Sequence, residues 1–354
     1  MVWNSQPCGT EDSITFKQGR IYERISNITC SIYFCTTYSR LEWYCYSVII
    51  LCLLVLLIGF LGNAFTLFYC IYTVKSWTTS SIFLFNLALC DFAWILLTPY
   101  TVYYQLHNQA ICSSQVFCQF QRTFFDINIY GSIYFLTLIS FDRYISAAHP
   151  IHSLKFWNKS KATLCTITAW IFILIESIPD FYYTFVDQKQ MESAACLETI
   201  GEPLYFVVPF TIARVLFGFL IPITVIFTCY ALTLKALRKM KKGQQTRNSI
   251  IKPLVLVLSA MIVFAVAFIP YHMMMMAVLI FRMKNQLTSE NISLVFTMYK
   301  LTKIICTISS CLNPVIFMLT SKKFQEKIKT IKCSLKQRWL CCQSHKVGNT
   351  TVEL

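Results

Sequence analysis

Seven long apolar runs constrain this chain more than any other feature. Each can cross ~30 Å of hydrocarbon, which takes about 20 helical residues. They cover residues 44–72, 81–106, 116–140, 162–185, 205–234, 254–281 and 295–319. Because 56% of the residues are hydrophobic and only 13% are charged, an ordinary soluble domain is excluded. We therefore predict an all-α membrane protein, a seven-transmembrane helix bundle.

The distribution of charge predicts the orientation. Lys and Arg concentrate after runs 1, 3 and 5 and in the C-terminal tail, whereas acids concentrate in the opposite connections. The positive-inside rule then places the N-terminus outside, in the plasma membrane. The predicted parts are an extracellular tail (1–43), a seven-transmembrane domain (44–320) and a cytoplasmic amphipathic helix with tail (321–354). No apolar run precedes the first span, so no cleavable signal peptide is expected. The net charge of +15 suits anionic lipids and protein partners, not nucleic acid.

Several residues outside the spans are candidates for modification or binding. Cys118 and Cys196 would form a disulfide over the mouth of the bundle, with Cys112 as the competing partner. The last three residues, Val352 to Leu354, fit a PDZ domain. Glycosylation sequons on the outer side are Asn27 and Asn291. Palmitoylation candidates in the basic tail, with idle thiols as the alternative, are Cys333, Cys341 and Cys342.

Polar groups inside the apolar runs indicate function. Asp142, Arg143 and Tyr144 follow run 3 directly, and a charge pair at the foot of a membrane helix is costly. A second set lies at mid-membrane depth and would hold a hydrated sodium ion or a protonated hydrogen-bond knot. Its members are Asp91, Ser132, Ser309 and Asn313. No other cofactor is expected.

The order and depth of these motifs resemble the rhodopsin-like G-protein-coupled receptors. They run through all seven spans: Gly62 with Asn63, the LALCD run ending at Asp91, Cys118, Asp142 to Tyr144, Trp170, Pro222 with Tyr230, Phe264 with Phe268 to Pro270, and Asn313 with Pro314. The FIPYH run, 268–272, is similar to the purinergic and small-acid branch. Within that branch, succinate receptors show the greatest likeness.

The resemblance implies a switch. Asp142 would hold Arg143 in the resting state, and on activation Arg143 would turn towards Tyr230 and a heterotrimeric G protein. Phe264 and Phe268 would relay movement from the pocket, where Pro222 and Pro270 weaken the helices. Asn313 and Pro314 belong to the motif of span 7, which ends in Tyr in the family but in Phe317 here.

Three cations are predicted at the outer ends of the spans. Arg122 lies 21 residues before Arg143, or roughly 31 Å of helix. Arg214 and Lys303 lie at similar depth on spans 5 and 7. In the resembling receptors, arginines on spans 3, 6 and 7 bind a carboxylate or phosphate ligand. Arg122 matches the first of these, and Lys303 stands where span 7 carries its arginine.

The span 6 position departs from that pattern because it holds Met275. A methionine-rich wall favours a ligand with an apolar portion, so an acidic metabolite, a nucleotide and a lipid acid stay open. Asp126 is the expected partner of Arg122, and a purely structural pair, with Lys303 reaching the headgroups, is the alternative. His272 is a packing residue or a ligand contact, with proton sensing a minor alternative.

Three function classes compete. The first is a ligand-activated receptor coupled to a G protein, and the second is a silent or scavenging receptor of the same fold, which Phe317 favours. A transporter or channel would need paired internal repeats, and the chain shows none. No nucleophile–base pair, metal cluster or phosphate loop indicates an enzyme.

Overall fold

The structure is a computed structural model that describes residues 42–73, 77–107, 115–149, 156–186, 204–239, 255, 257–286 and 292–320. The predicted extracellular tail falls almost wholly outside these residues, and the predicted cytoplasmic helix and tail do so entirely. The glycosylation, palmitoylation and PDZ candidates also lie outside them, as do Cys112, Cys196 and the side chain of Cys118.

The described residues form seven helical spans. They are α1 (Glu42–Phe68, continued by the π-helical Tyr69–Thr73), α2 (Thr79–His107), α3 (Gln115–Ala148), α4 (Lys159–Val186), α5 (Leu204–Ala213, the π-helical Arg214–Leu220 and Ile221–Lys239), α6 (helical from 257 through the π-helical Phe264–Phe268 to Ile269–Met283) and α7 (Ile292–Thr320). Six are long and apolar enough to cross a membrane, and α7 contributes the shorter apolar stretch Leu301–Val315. The predicted seven-helix bundle is confirmed.

Helix α3 is longer than its predicted run of 116–140. It continues to Ala148, so Asp142 and Arg143 lie inside the helix rather than beyond it. Apolar length marks only the part of a helix in hydrocarbon, whereas the helix itself continues until the backbone is interrupted. Here Pro150 follows closely, and a proline disfavours helical geometry in the residue before it.

Two π-helical segments lie beside each other, one in α5 and one in α6. Each segment contains the residue four positions before a proline: Gly218 before Pro222 in α5, and Val266 before Pro270 in α6. A proline ring clashes with the carbonyl of that residue and removes one N–H donor. A wider π turn relieves the clash, and both segments depart from α-helical hydrogen bonding beside a proline. Phe219 and Phe264 stack between the segments with ring centroids 5.5 Å apart.

The centre of the bundle is packed around α3, where Ile129, Ile133 and Phe135 are fully buried. Large apolar side chains such as Leu57 and Ile178 are exposed, as expected for faces that contact lipid. Small residues allow close helix approach. A Cβ on Gly62 of α1 would stand 2.8 Å from Pro314 Cγ of α7, so these helices fit only with glycine there.

Candidate ligand cavity and the ion pair of α3

A narrow cavity opens among α3, α5, α6 and α7 at the end of the bundle opposite Arg143. Its lining carries four basic side chains and one acidic side chain, a formal charge of +3: Arg122, Arg214, Arg282, Lys303 and Asp126. Its other lining residues are Val207, Thr211, Tyr271, Met275, Val278, Leu279 and Tyr299. The cavity therefore has a cationic portion and an apolar portion between α5 and α6.

The three predicted cations all reach this cavity, but Asp126 has a partner that the sequence did not indicate. Arg214 Nη2 lies 3.4 Å from Asp126 Oδ2, and both side chains are almost buried. Arg214 also donates to the backbone carbonyl of Glu176 in α4, at 2.5 Å from Nη2 and 3.2 Å from Nε. Arg214 therefore joins α3, α4 and α5 at the floor of the cavity.

Lys303 is placed by aromatic rings. Its Nζ lies 4.5 Å from the ring centroid of Phe125 and 5.2 Å from that of Tyr299. Ring faces attract a cation electrostatically, so they direct the ammonium into the cavity. The alternative in which Lys303 extends to the headgroups is not the arrangement observed.

Arg282 is the cavity residue that sequence reasoning missed. Met275 lines the cavity as expected, and Arg282 lies seven residues later, in the last turn of α6. Seven residues are two helical turns, so the two side chains share a face. The helical period could have found Arg282, because it predicts a cation on α6 above the methionine.

His272 lies outside the lining of this cavity, although it was a candidate for ligand contact. It is buried, its Nδ1 lies 2.8 Å from the Phe268 carbonyl, and its ring stacks on Phe219 at 4.4 Å. These contacts support the alternative that it is a packing residue. Its position one residue beyond Tyr271 turns it away from the lining and towards α5.

The mid-membrane cluster forms around Asp91, with one change of member. Asp91 accepts hydrogen bonds from Ser132 Oγ at 3.0 Å, Asn313 Nδ2 at 2.8 Å and Asn128 Nδ2 at 2.9 Å. Ser310, rather than Ser309, completes the network through Asn128 at 2.9 Å. Asn128 and Ser310 were missed.

Among the described residues, Ser309 lies outside the hydrogen-bond network of Asp91. Its hydroxyl donates to the Cys306 carbonyl in its own helix at 2.6 Å. Adjacent helical residues point about 100° apart, so Ser309 and Ser310 cannot both face Asp91. A choice between two adjacent serines therefore required the rotation of α7, which the sequence does not determine.

Asp142 and Arg143 form the expected ion pair at the other end of α3. Arg143 Nη2 lies 2.9 Å from Asp142 Oδ2. Three further donors that the sequence did not indicate also reach the Asp142 carboxylate, from Thr79, Ser80 and Trp157. Tyr144 instead turns its hydroxyl to His149, 3.5 Å from Nε2.

Between cavity and ion pair lie the predicted relay residues. Phe264 and Phe268 are buried and pack edge to face at 5.4 Å. Tyr230 is half-buried in α5. Asn313 and Pro314 are buried in α7, whereas the side chain of Phe317 lies outside the described residues.

A buried acid in α4 was also missed. Tyr134 donates to Glu176 Oε1 at 2.7 Å, and Glu176 Oε2 has no hydrogen-bond partner among the residues that the structure describes. Glu176 lies within the apolar run 162–185, where an acid was a signal that could have been followed.

Comparisons with known proteins agree with this arrangement. The sequence profile of the 7 transmembrane receptor (rhodopsin family) matches residues 62–317. Purinoceptor 1 of Gallus gallus is 30% identical over 284 residues, 78% of this chain and 76% of the relative. Succinate receptor 1 of Rattus norvegicus is 29% identical over 276 residues, 77% of this chain and 86% of the relative. Both resemblances predicted from the motifs are confirmed, and these relatives are receptors, not enzymes. This chain belongs to the rhodopsin family of seven-transmembrane receptors.

Proposed function

We propose that this receptor binds an extracellular acidic small molecule in the cationic cavity and activates a heterotrimeric G protein. The supporting observation is the convergence of Arg122, Arg282 and Lys303 on one cavity with a formal charge of +3. Several like charges beside one another repel, and an anion relieves that repulsion. The N-terminus lies outside in this proposal, so the cavity opens to the extracellular side.

The ligand combines an acidic group with an apolar portion. Met275, Val278 and Leu279 line the cavity on the α6 side, where a small dicarboxylate would leave apolar surface uncovered. The names of the relatives point to purine and succinate recognition in those proteins, so a nucleotide and a short acid belong in the test beside a fatty acid.

The proposal is tested by screening succinate, adenosine diphosphate and a long-chain oxidised fatty acid in cells that express this receptor. Signal is read as G-protein activation in wild type and in Arg122→Ala, Arg282→Gln and Lys303→Met. The matched control is Lys284→Gln, because Lys284 is exposed two residues beyond Arg282. An active acid that loses potency in the three cavity variants and keeps it in the control supports the proposal; equal potency in all contradicts it.

The second candidate function is a silent or scavenging receptor. Phe317 supports it, since the residue lacks the hydroxyl that the resembling receptors carry at the end of this motif. The discriminating variant is Arg143→Ala. G-protein activation that disappears with this substitution favours coupling, whereas binding of an acid without any Arg143-dependent signal favours the silent receptor.

We also propose five accessory features. A sodium ion acts as an allosteric ligand beside Asp91, and a Cys118–Cys196 disulfide holds the outer loop over the cavity. Asn27 and Asn291 carry glycans outside. Inside, palmitoylated cysteines at 333, 341 or 342 anchor the tail to membrane lipids, and the C-terminal Val352–Leu354 segment binds a PDZ domain. Mass spectrometry of the receptor from cell membranes tests the covalent features.

A further inference from the structure

The Asp142 carboxylate is surrounded by four donors, two for each oxygen. Oδ1 accepts from Thr79 Oγ1 at 2.6 Å and from Trp157 Nε1 at 2.8 Å. Oδ2 accepts from Ser80 Oγ at 2.6 Å and from Arg143 Nη2 at 2.9 Å. Only one of the four donors is charged. Oδ1 is therefore satisfied without Arg143, and Oδ2 keeps one donor without it.

The two hydroxyl donors are held in place by the start of α2. Thr78 N–H donates to Ser81 Oγ at 2.7 Å, and Ser81 N–H donates to Thr78 Oγ1 at 3.2 Å. Such a reciprocal cap fixes the first turn of a helix. Thr79 and Ser80 lie between the two capping residues, so the backbone that carries their hydroxyls is fixed by contacts that do not involve Asp142.

The indole donor is held by α4 and by aromatic packing. Asn158, directly after Trp157, caps α4 by accepting from Lys161 N–H at 3.1 Å. The Trp157 ring packs edge to face on Phe141 at 5.3 Å and lies 6.3 Å from the ring of Phe83. The indole N–H is consequently aimed at Asp142 by contacts that do not involve Arg143.

Arg143 is held less completely than Asp142. Its side chain is 29% exposed, against 1% for Asp142. Nη2 contacts both Asp142 and the Ser80 hydroxyl, whereas the buried Nε has no hydrogen-bond partner within the described part of the chain. Arg143 can therefore leave towards the cytoplasmic surface, while the buried carboxylate stays where it is.

We propose that Thr79, Ser80 and Trp157 form a neutral donor cage that keeps the Asp142 carboxylate satisfied when Arg143 leaves it, with Trp157 as a positioning residue. This inference rests on the proposed function, because release of Arg143 has a consequence only in a receptor that couples to a G protein. Neutral donors draw negative charge from the carboxylate, so each of them weakens its hold on Arg143.

The persistence of the cage is tested on full-length receptor labelled with ¹⁵N-tryptophan. Loss of one indole N–H resonance in Trp157→Phe assigns the Trp157 signal. We expect this resonance to keep its position in Arg143→Gln, where the ion pair is gone, and to move in Asp142→Asn, where the charged acceptor is gone. A resonance that moves towards that of a free indole in Arg143→Gln would overturn the proposal, and this readout needs no signalling.

The effect on release is tested as agonist-free G-protein activation. Trp157→Phe keeps the ring and removes the donor, so Asp142 holds Arg143 more tightly and the signal falls, by about threefold or more if part of one charge-assisted hydrogen bond is at stake. In the Asp142→Asn background the same substitution has no further effect. A rise in signal with Trp157→Phe, or an equal change in both backgrounds, contradicts the cage.

Trp170→Phe is the matched control. Its indole donates at the same 2.8 Å, but to the uncharged Asn86 Oδ1, so its effect is independent of Asp142→Asn. The variants distinguish failure of the donor cage from failure of the proposed G-protein coupling. If Arg143→Ala abolishes signalling and Trp157→Phe equals wild type, only the cage fails. If no variant, Arg143→Ala included, changes any signal, G-protein coupling fails while the indole resonance still decides the cage.

Discussion

Arg214 on α5 and Asp126 on α3 form an ion pair across the floor of the cavity, with 3.4 Å between Nη2 and Oδ2. The pair neutralises one of the four basic side chains that line the cavity. The other basic lining residues are Arg122, Arg282 and Lys303, and the lining as a whole carries a formal charge of +3. This division of the lining into one ion pair and three further basic residues predicts that substitutions of Asp126 and Arg214 change ligand affinity in opposite directions.

Replacing Asp126 with Asn should raise the affinity for an anionic ligand and lower the melting temperature of the purified receptor. The substitution removes the only acid among the described residues that line the cavity, so less repulsion opposes the ligand, and it breaks a nearly buried pair. Arg214→Gln should lower both quantities. Competition binding with the active acid and a thermal melt measure them; a fall in affinity for both variants would contradict this division.

Replacing Lys303 with Met should weaken binding of an acidic ligand by about 10- to 100-fold, the equivalent of one hydrogen bond to a charged group. Lys303→Arg should retain most of the affinity, because a cation still stands over Phe125 and Tyr299. Saturation binding checks both. An equal loss for Met and Arg would show that packing, and not charge, matters at this position.

The two adjacent serines of α7 should respond differently to sodium. Ser310 belongs to the Asp91 network through Asn128, whereas Ser309 donates to the Cys306 carbonyl. We expect sodium chloride, compared with the chloride of a bulky organic cation, to stabilise wild type and Ser309→Ala. It should not stabilise Ser310→Ala or Asp91→Asn. Thermal melts at matched ionic strength measure the effect, and a response that survives in Asp91→Asn would exclude an ion at this site.

Gly218→Ala should destabilise the receptor by about 1–3 kcal/mol, the usual cost of overpacking. An added Cβ would stand 2.6 Å from Tyr130 Cε1 and 3.0 Å from Glu176 Oε2. Ala231→Val adds more carbon to an exposed position of the same helix and should be nearly neutral. Thermal unfolding in detergent compares the two variants. Equal stability would mean that α3, α4 and α5 are less closely packed than the structure indicates.

The sequence predicted the spans well because hydrocarbon thickness sets the length of an apolar run. It predicted the depth of Arg122, Arg214 and Lys303 for a related reason: rise per residue converts position in the chain into position in the membrane. Helix rotation and partner choice were harder. Ser309 was predicted in the Asp91 network, which contains Ser310 instead. The pairing of Asp126 with Arg214 was not predicted. Both depend on which face each helix turns to its neighbours.

Residues that reach one site from neighbouring helices also could not be predicted from the sequence. Trp157 and Thr79 are separated by 78 positions, and only the fold brings them to the same carboxylate oxygen. Arg282 differs, because its spacing from Met275 was readable. The predicted departure from the family pattern is Met275, whereas the cation on α6 lies two turns beyond it.

The most direct test of an anion-binding cavity compares a signalling acid with its uncharged methyl ester on purified receptor. The acid is the active compound from the screen, and affinities are measured for wild type and for Arg122→Ala with Lys303→Met. We predict that wild type binds the acid at least about tenfold more tightly than the ester, as expected if charge-assisted hydrogen bonds hold the acid, and that the double variant binds the two alike. Equal affinity of wild type for acid and ester would contradict the account.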